Sequence, residues 1–317
     1  MGRDIGSRAA RMLTFAATLG FSNLLGLPAA HAKDCAGAEL RNVGGVARAW
    51  MLADGGIAAY SKMNINIDGY ARAYHPKNAS AGALLHLCNA GRPYAPDGTS
   101  YNASKDNPTC TGRFMDDYAR IGAAGWKDTS VGIIRWFGVL GRDQVQLNGV
   151  TIKSIVPVLQ KDGSGFYVSP TALADSTIAD AADQSRYLNP LRVPAAVVPD
   201  SVMAQGVKMG SFGVAYNKDT RIAVPFVVGD AGPAIGEGSV ALARLAAGLA
   251  IKDPIQRSER YEGQVDAKNV LWIYFKDAPA PYDSTKEAAT VQKAKDAFQA
   301  WGGEARLALC VQQVPRN

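Results

Sequence analysis

The chain reads as short apolar runs broken by glycine, proline, asparagine and aspartate, with no sustained alternation of helix and strand patterns. In residues 46–73 these runs end in Asn64-Ile65-Asn66-Ile67-Asp68-Gly69-Tyr70, where isoleucines alternate with polar residues. A period of two predicts a strand, and Asp68-Gly69 predicts the turn that ends it. Residues 130–140 are β-branched and aromatic and read as a buried strand. Asn148-Gly149 and Asp162-Gly163 mark tight turns, so 144–147, 150–160 and 165–168 predict an antiparallel meander. Further strands are expected at 192–198, 212–216, 222–228 and 270–275, and a last one at 305–311.

Helical spacing is rarer. Residues 114–124 carry it, and residues 239–249 follow it with Ser239 as the N-cap. The clearest helix is 284–301, where Ser284 and Glu287 read as a capping box and Val291, Ala294, Phe298 and Trp301 share a face. Gly302-Gly303 then ends it. Residues 91–108, rich in Pro, Gly, Asn and Ser, read as an excursion loop pinned by flanking cysteines. The absence of an internal repeat weighs against solenoids and propellers. Many strands joined by tight turns, with helices at the edges, predict a mainly β, α+β fold built on a compact β-barrel rather than a doubly wound sheet.

Composition adds a compartment. Arg3, Arg8 and Arg11 precede an apolar run over 12–27 and then Pro28-Ala29-Ala30-His31-Ala32. This is the pattern of a secretory signal removed before Lys33, and the run, interrupted by Ser22 and Asn23, is short of the ~20 residues that span a bilayer. Residues 33–317 are then expected to form a single catalytic domain, secreted or periplasmic, monomeric and free of the membrane. The net charge of +6 falls to +4 without the three arginines and one aspartate of residues 1–32. The remaining cations are scattered with no interleaved aromatics, which argues against a nucleic-acid surface. Cys35, Cys88, Cys110 and Cys310 contain no C-x-x-C pair, so two disulfides are expected rather than a metal site. Three pairings are possible. Loop closure favours Cys88 with Cys110 and Cys35 with Cys310, without excluding the other two.

The chemistry concentrates in Gly229-Asp230-Ala231-Gly232-Pro233-Ala234-Ile235-Gly236-Glu237-Gly238-Ser239, between an apolar strand and a helix. Asp230 ends the strand, and Glu237 stands where exposed N–H groups at a helix start favour a negative charge by ~0.3–1 kcal/mol. Composition alone reads Asp230 as a turn residue and Glu237 as a helix-end charge. The glycine- and proline-rich linker instead leaves open ground before two acids, the arrangement that inverting glycosidic hydrolysis needs. The remaining histidines, His75 and His86, have no metal-ligand spacing, and no Gly-x-Ser-x-Gly elbow supports a serine nucleophile. Among the aromatics Tyr70, Tyr74, Trp126 and Trp136, Tyr74 is the candidate for sugar contact.

Three segments carry a family likeness: 63–76, which holds Asn64, Asn66, Asp68 and Tyr74; 193–200; and 229–239. Together they resemble glycoside hydrolase family 75, the chitosanases best known from fungi. The likeness implies an inverting endo-hydrolase of a β-1,4-glucosamine polymer that needs no cofactor. It places Asp230 and Glu237 on the catalytic carboxylate positions and Asp68 beside the substrate. The chain departs from the family's Asp-x-Asp-x-Asp-Gly run, because Asn64 and Asn66 precede Asp68. The Gly-Asp-x-Gly turn also resembles that around the single catalytic aspartate of double-psi-barrel lytic transglycosylases, which implies a double-psi-like barrel core with peripheral helices. The rival expectations are a peptidoglycan-directed lytic enzyme on the same barrel and a non-catalytic cell-wall-binding protein.

Overall fold

The computed structural model describes residues 34–103, 112–276 and 279–317. A hairpin of β1 (Gly37–Arg41) and β2 (Arg48–Leu52) leads into the long strand β3 (Ile57–Asn66). An insertion follows, with β4 (Gly91–Tyr94), α1 (Arg113–Ala123), β5 (Ile133–Trp136) and the hairpin β6 (Gly141–Leu147) and β7 (Val150–Pro157). The chain then returns through β8 (Ala195–Val198), α2 (Asp200–Met203), β9 (Phe212–Asn217), β10 (Ile222–Ala231), β11 (Glu237–Ser239) and α3 (Val240–Ala246). It ends with β12 (Val265–Tyr274), α4 (Glu287–Trp301) and α5 (Gly303–Gln313).

The main sheet runs β1-β2-β3-β11-β8-β10-β9-β12, and β12 pairs back onto β3. Six strands, β3, β11, β8, β10, β9 and β12, therefore close into a barrel. Closure leaves no free edge within the ring. β11 runs parallel to β3 and β10 parallel to β8, while the other barrel pairs are antiparallel. This mixed barrel with peripheral helices is the core expected from the sequence.

Its strands read as apolar runs because both of their faces are covered. Ala59, Met63, Phe226, Val228, Trp272 and Tyr274 form one buried cluster inside the ring. On the other face Tyr60, Val214, Leu271 and Ile273 pack against Ala294, Phe298 and Trp301 of α4 and Leu307 of α5. At roughly 1.5–3 kcal/mol for each fully buried large side chain, these two layers dominate the stability of the barrel.

Several local expectations are corrected. Residues 305–311 are helical, within α5, because Arg306, Leu307 and Cys310 are buried at helical spacing and the stretch is made of good helix formers. Gly302 and Gly303, at φ 131° and 56°, turn the chain from α4 into α5. The capping box at Ser284 does not form. α4 starts at Glu287, while the Ser284 N–H and hydroxyl donate to Asp175 at 2.9 and 3.0 Å. The strand expected over 130–140 shrinks to β5, which pairs with β4, so the start of the expected excursion loop is itself a strand. Residues 104–108 of that loop lie outside the described residues, as does Cys110 and hence the pairing of Cys88 with Cys110. The Asn148-Gly149 hairpin forms with both turn residues at positive φ, 49° and 80°, but the third meander strand is reduced to a bridge between Leu159 and Tyr167.

The Cys35–Cys310 disulfide joins the start of the described chain to α5, with Cα atoms 5.0 Å apart and 275 residues between them. Beside it the buried Arg306 donates to Asp54 Oδ2 at 2.6 Å and to the Asp34 carbonyl at 2.9 Å. Replacing both Cys35 and Cys310 with alanine is expected to cost about 2–5 kcal/mol, because so long a loop is no longer closed in the unfolded chain. Urea unfolding of the variant checks this, and a midpoint equal to that of the parent would contradict it.

Candidate active site

Strand β8 is flanked by both acid-bearing strands. β10 pairs with it in parallel, Val227 opposite Ala195 and Val228 opposite Ala196, but a register shift at Gly229 then sets Asp230 opposite Val197. In an unbroken ladder Asp230 would face Val198 and share the buried side of Ala196 and Val228. The one-residue shift moves it to the face of Ala195 and Val197. Gly229 suits this place, since a Cβ there would lie 2.8 Å from the Ala195 Cβ.

β11 meets β8 from the other side through Gly238 and Ala196. The same short strand sets Glu237 opposite Asn64 and Ser239 opposite Asn66 of β3. Asp230 and Glu237 thus lie one strand to either side of Val197. Two strand spacings of about 4.8 Å put their Cα atoms within roughly 10 Å of each other.

The linker between the acids is fixed at several points. The Ile235 N–H donates to the Gly44 carbonyl at 2.7 Å, and the Ser61 hydroxyl donates to the Ile235 carbonyl at 2.9 Å. Gly236 at φ 120° leads into β11, where an added Cβ would meet the Ser61 hydroxyl at 2.5 Å. Ser239 is the N-cap of α3, as expected. Its buried hydroxyl accepts from the Leu242 and Ala195 N–H groups at 3.1 and 3.0 Å and donates to the Val193 carbonyl at 2.8 Å.

Asp230, Glu237, Asp68 and Tyr74 all line one cleft of about 340 Å³, together with Asn66, Asn89, Phe137 and Tyr261. The four residues singled out by the sequence are therefore brought together. Their environments differ. Asp230 Oδ1 accepts from the Ala172 and Ala231 N–H groups at 3.0 and 2.9 Å, and Oδ2 accepts from Asn66 Nδ2 at 3.1 Å. Burial raises its pKa, and these three donors oppose the rise. Glu237 is raised by burial and by the charge of Asp230, against the pull of Lys62, and among the described residues no hydrogen-bond donor reaches its carboxyl group. Asp68 is held well above the usual carboxylate range, first by burial and then by the Asp230 charge. The Tyr74 hydroxyl donates to Asp68 Oδ1 at 2.8 Å.

Asn66 links Asp230 to Asp68. Its amide donates to Asp230 while its Oδ1 accepts the Asp68 N–H at 2.6 Å. A carboxylate in its place would repel Asp230 rather than donate to it.

Tyr74 reaches the cleft by its hydroxyl alone. Its ring is 2% exposed, so it offers no face for a sugar. Tyr70 and Trp136 are also buried, and Trp126 packs on Tyr118 and Trp136. His75 lies edge-on to Phe166 and accepts the Lys77 N–H at Nδ1, and it is not among the residues that line the cleft. Two aromatics that sequence reasoning passed over, Phe137 and Tyr261, line the cleft with exposed rings. Neither sits in a motif, and only the packing around them reveals them. Among the described residues no group of three or more His, Cys, Asp or Glu is placed to hold a metal ion, and no helix is long and apolar enough to cross a membrane. In comparison with known proteins, no family model matches the chain, and no curated protein matches it.

All three carboxyl groups are raised, so between the unfolded and folded values the folded chain holds more protons than the unfolded one. Stability is complete below the unfolded carboxylate range and is lost as pH rises through the folded values. Asp68→Asn keeps an acceptor for Tyr74 and removes one charge from the cluster. It is expected to stabilise the protein at pH 7 by on the order of 1 kcal/mol or more and to flatten the decline between pH 4 and 7. Urea titrations at both pH values test this; a parental slope in the variant would sink the assignment.

Proposed function

We propose that the protein is a secreted endo-acting polysaccharide hydrolase, similar to the family 75 chitosanases, that cleaves by a two-carboxylate inverting mechanism. The observation that carries this reading is the pair Asp230 and Glu237, set on two strands that share β8 and opening into one cleft with unequal environments. Three N–H donors hold the Asp230 charge, whereas Glu237 has burial and a neighbouring negative charge to keep its proton. Two titratable groups in such contrasting surroundings divide into base and acid.

In this mechanism Glu237 gives its proton to the glycosidic oxygen as the C1–O bond breaks. Asp230 takes a proton from a water whose oxygen forms the new bond to C1 from the opposite face. The products are two shorter chains, one with a new reducing end of inverted configuration. The carboxyl separation of about 6.5–9.5 Å typical of inverting enzymes leaves room for that water, and it suits acids on strands two spacings apart better than the ~5–5.5 Å of retaining ones. Asp68, whose pKa burial and the Asp230 charge raise well above the usual carboxylate range, is placed to bind a sugar hydroxyl or amine rather than to share in proton transfer.

A second reading, a peptidoglycan-directed lytic enzyme, is favoured by Asn64 and Asn66 standing where an acidic run would attract a polycation, and by Lys62 acting on Glu237. A transglycosylase needs one acid and leaves anhydro-sugar ends. A wall-binding protein without catalysis would leave no new ends at all.

The test is mass spectrometry of products from partially acetylated chitosan and, separately, from peptidoglycan. Hydrolysed chito-oligomers are expected, with turnover reduced at least 10³-fold by Asp230→Asn and by Glu237→Gln, since each removes a whole proton-transfer role. Wild-type turnover in either variant would overturn the pair. Anhydro-muropeptides with Glu237→Gln tolerated would favour the second reading.

A further inference from the structure

Phe137 and Tyr261 are 57% and 45% exposed, and they are the large aromatic side chains most open to solvent among the described residues. Both line the cleft that holds Asp230 and Glu237. Exposed aromatic rings cost solvation and contribute nothing to the core, so their coincidence in one acidic cleft calls for a ligand with a flat apolar face.

The backbone that carries Phe137 and the ring of Tyr261 are each held by specific contacts. The Phe137 and Gly138 N–H groups both donate to the Ala90 carbonyl, at 2.8 and 3.1 Å, and the Ser169 hydroxyl donates to the Gly138 carbonyl at 3.1 Å. Gly138 itself abuts Tyr74, since a Cβ there would lie 2.8 Å from the Tyr74 hydroxyl oxygen. The backbone that carries Phe137 therefore packs against Tyr74, whose hydroxyl donates to Asp68.

On the other segment, the Arg260 guanidinium stacks on the Tyr261 ring, 4.4 Å from its centroid, and covers one face. Arg260 Nη1 donates to the Arg257 carbonyl, and Arg257 Nη1 donates to the Leu84 carbonyl, both at 2.6 Å. These bonds fasten the segment beside Leu85, which also lines the cleft. A ring already fixed loses little freedom on binding.

We propose that Phe137 and Tyr261 are the saccharide platforms of the cleft, on which the C–H faces of pyranose rings of a β-linked polymer stack and deliver the chain to the acids. This rests on the hydrolase reading of the acid pair and adds where the substrate lies. The polar groups that line the same cleft, Asn66, Asn89 and the Tyr74 hydroxyl, then meet the rims of the sugar rings.

The test uses the Asp230→Asn protein, in which cleavage is blocked, titrated by calorimetry with glucosamine hexamer and with N-acetylglucosamine hexamer. Phe137→Ala and Tyr261→Ala are each expected to weaken binding about tenfold, the fold-change that ~1.4 kcal/mol represents. Phe137→Leu keeps apolar volume without a flat face and is expected to lose as much, whereas Tyr261→Phe binds as the parent. In the cleaving enzyme the loss appears in KM more than in kcat. Parental affinity in both alanine variants would overturn the platforms and leave the acid pair standing. A wild-type protein that neither binds these oligomers nor cuts chitosan or peptidoglycan would overturn the acid-pair reading, and the platforms with it.

Discussion

Strand β8 is four residues long and buried throughout, and it is the one element that both acid-bearing strands pair with. Its parallel partner β10 and antiparallel partner β11 arrive from opposite sides, so the distance between Asp230 and Glu237 is set by backbone hydrogen bonding rather than by loop conformation. The loop between the acids only has to return the chain. The Gly44 and Ser61 contacts hold that loop still, and Ser239 locks the start of α3 to the same strand through its bond with Ala195. A site built on strands is more precisely held than one built on loops.

The same arrangement works against stability. Three carboxyl groups share a partly buried space, and each is pushed towards its protonated form by burial. A protein selected for stability alone would place neutral groups there. The barrel offsets the strain with two apolar layers and with the disulfide that fastens α5 to the start of the chain. Fold and cleft thus meet at the register shift at Gly229, where one extra residue turns Asp230 from the core side to the cleft.

Much of this was legible in the sequence. The apolar runs at 212–216, 222–228 and 270–275 gave the barrel strands because burial on both faces leaves a continuous apolar signal. Asp230 and Glu237 stood out because glycine and proline crowd around them, and Ser239 as a cap because its residue type and position agree. The register shift was hidden, since two residues opposing one depends on the partner strand. Helix α5 is hidden because Ala305 to Val311 is apolar enough to pass for a strand, and burial at Arg306, Leu307 and Cys310 decides between the two periods only once the barrel is there to cover them. Phe137 and Tyr261 were missed for a related reason: exposure is a property of what does not pack against a ring. Tyr74, the aromatic expected to contact sugar, contributes a hydroxyl to Asp68 rather than a face.

The central claim is that the two acids act on opposite faces of one sugar with water between them. Proton NMR during the first minutes of chitosan cleavage reads this directly, because the anomeric signal of the new reducing end appears before mutarotation blurs it. The α-anomer formed first from the β-linked polymer is the predicted result. The β-anomer formed first would mean retention, and would contradict an acid–base pair in favour of a nucleophile.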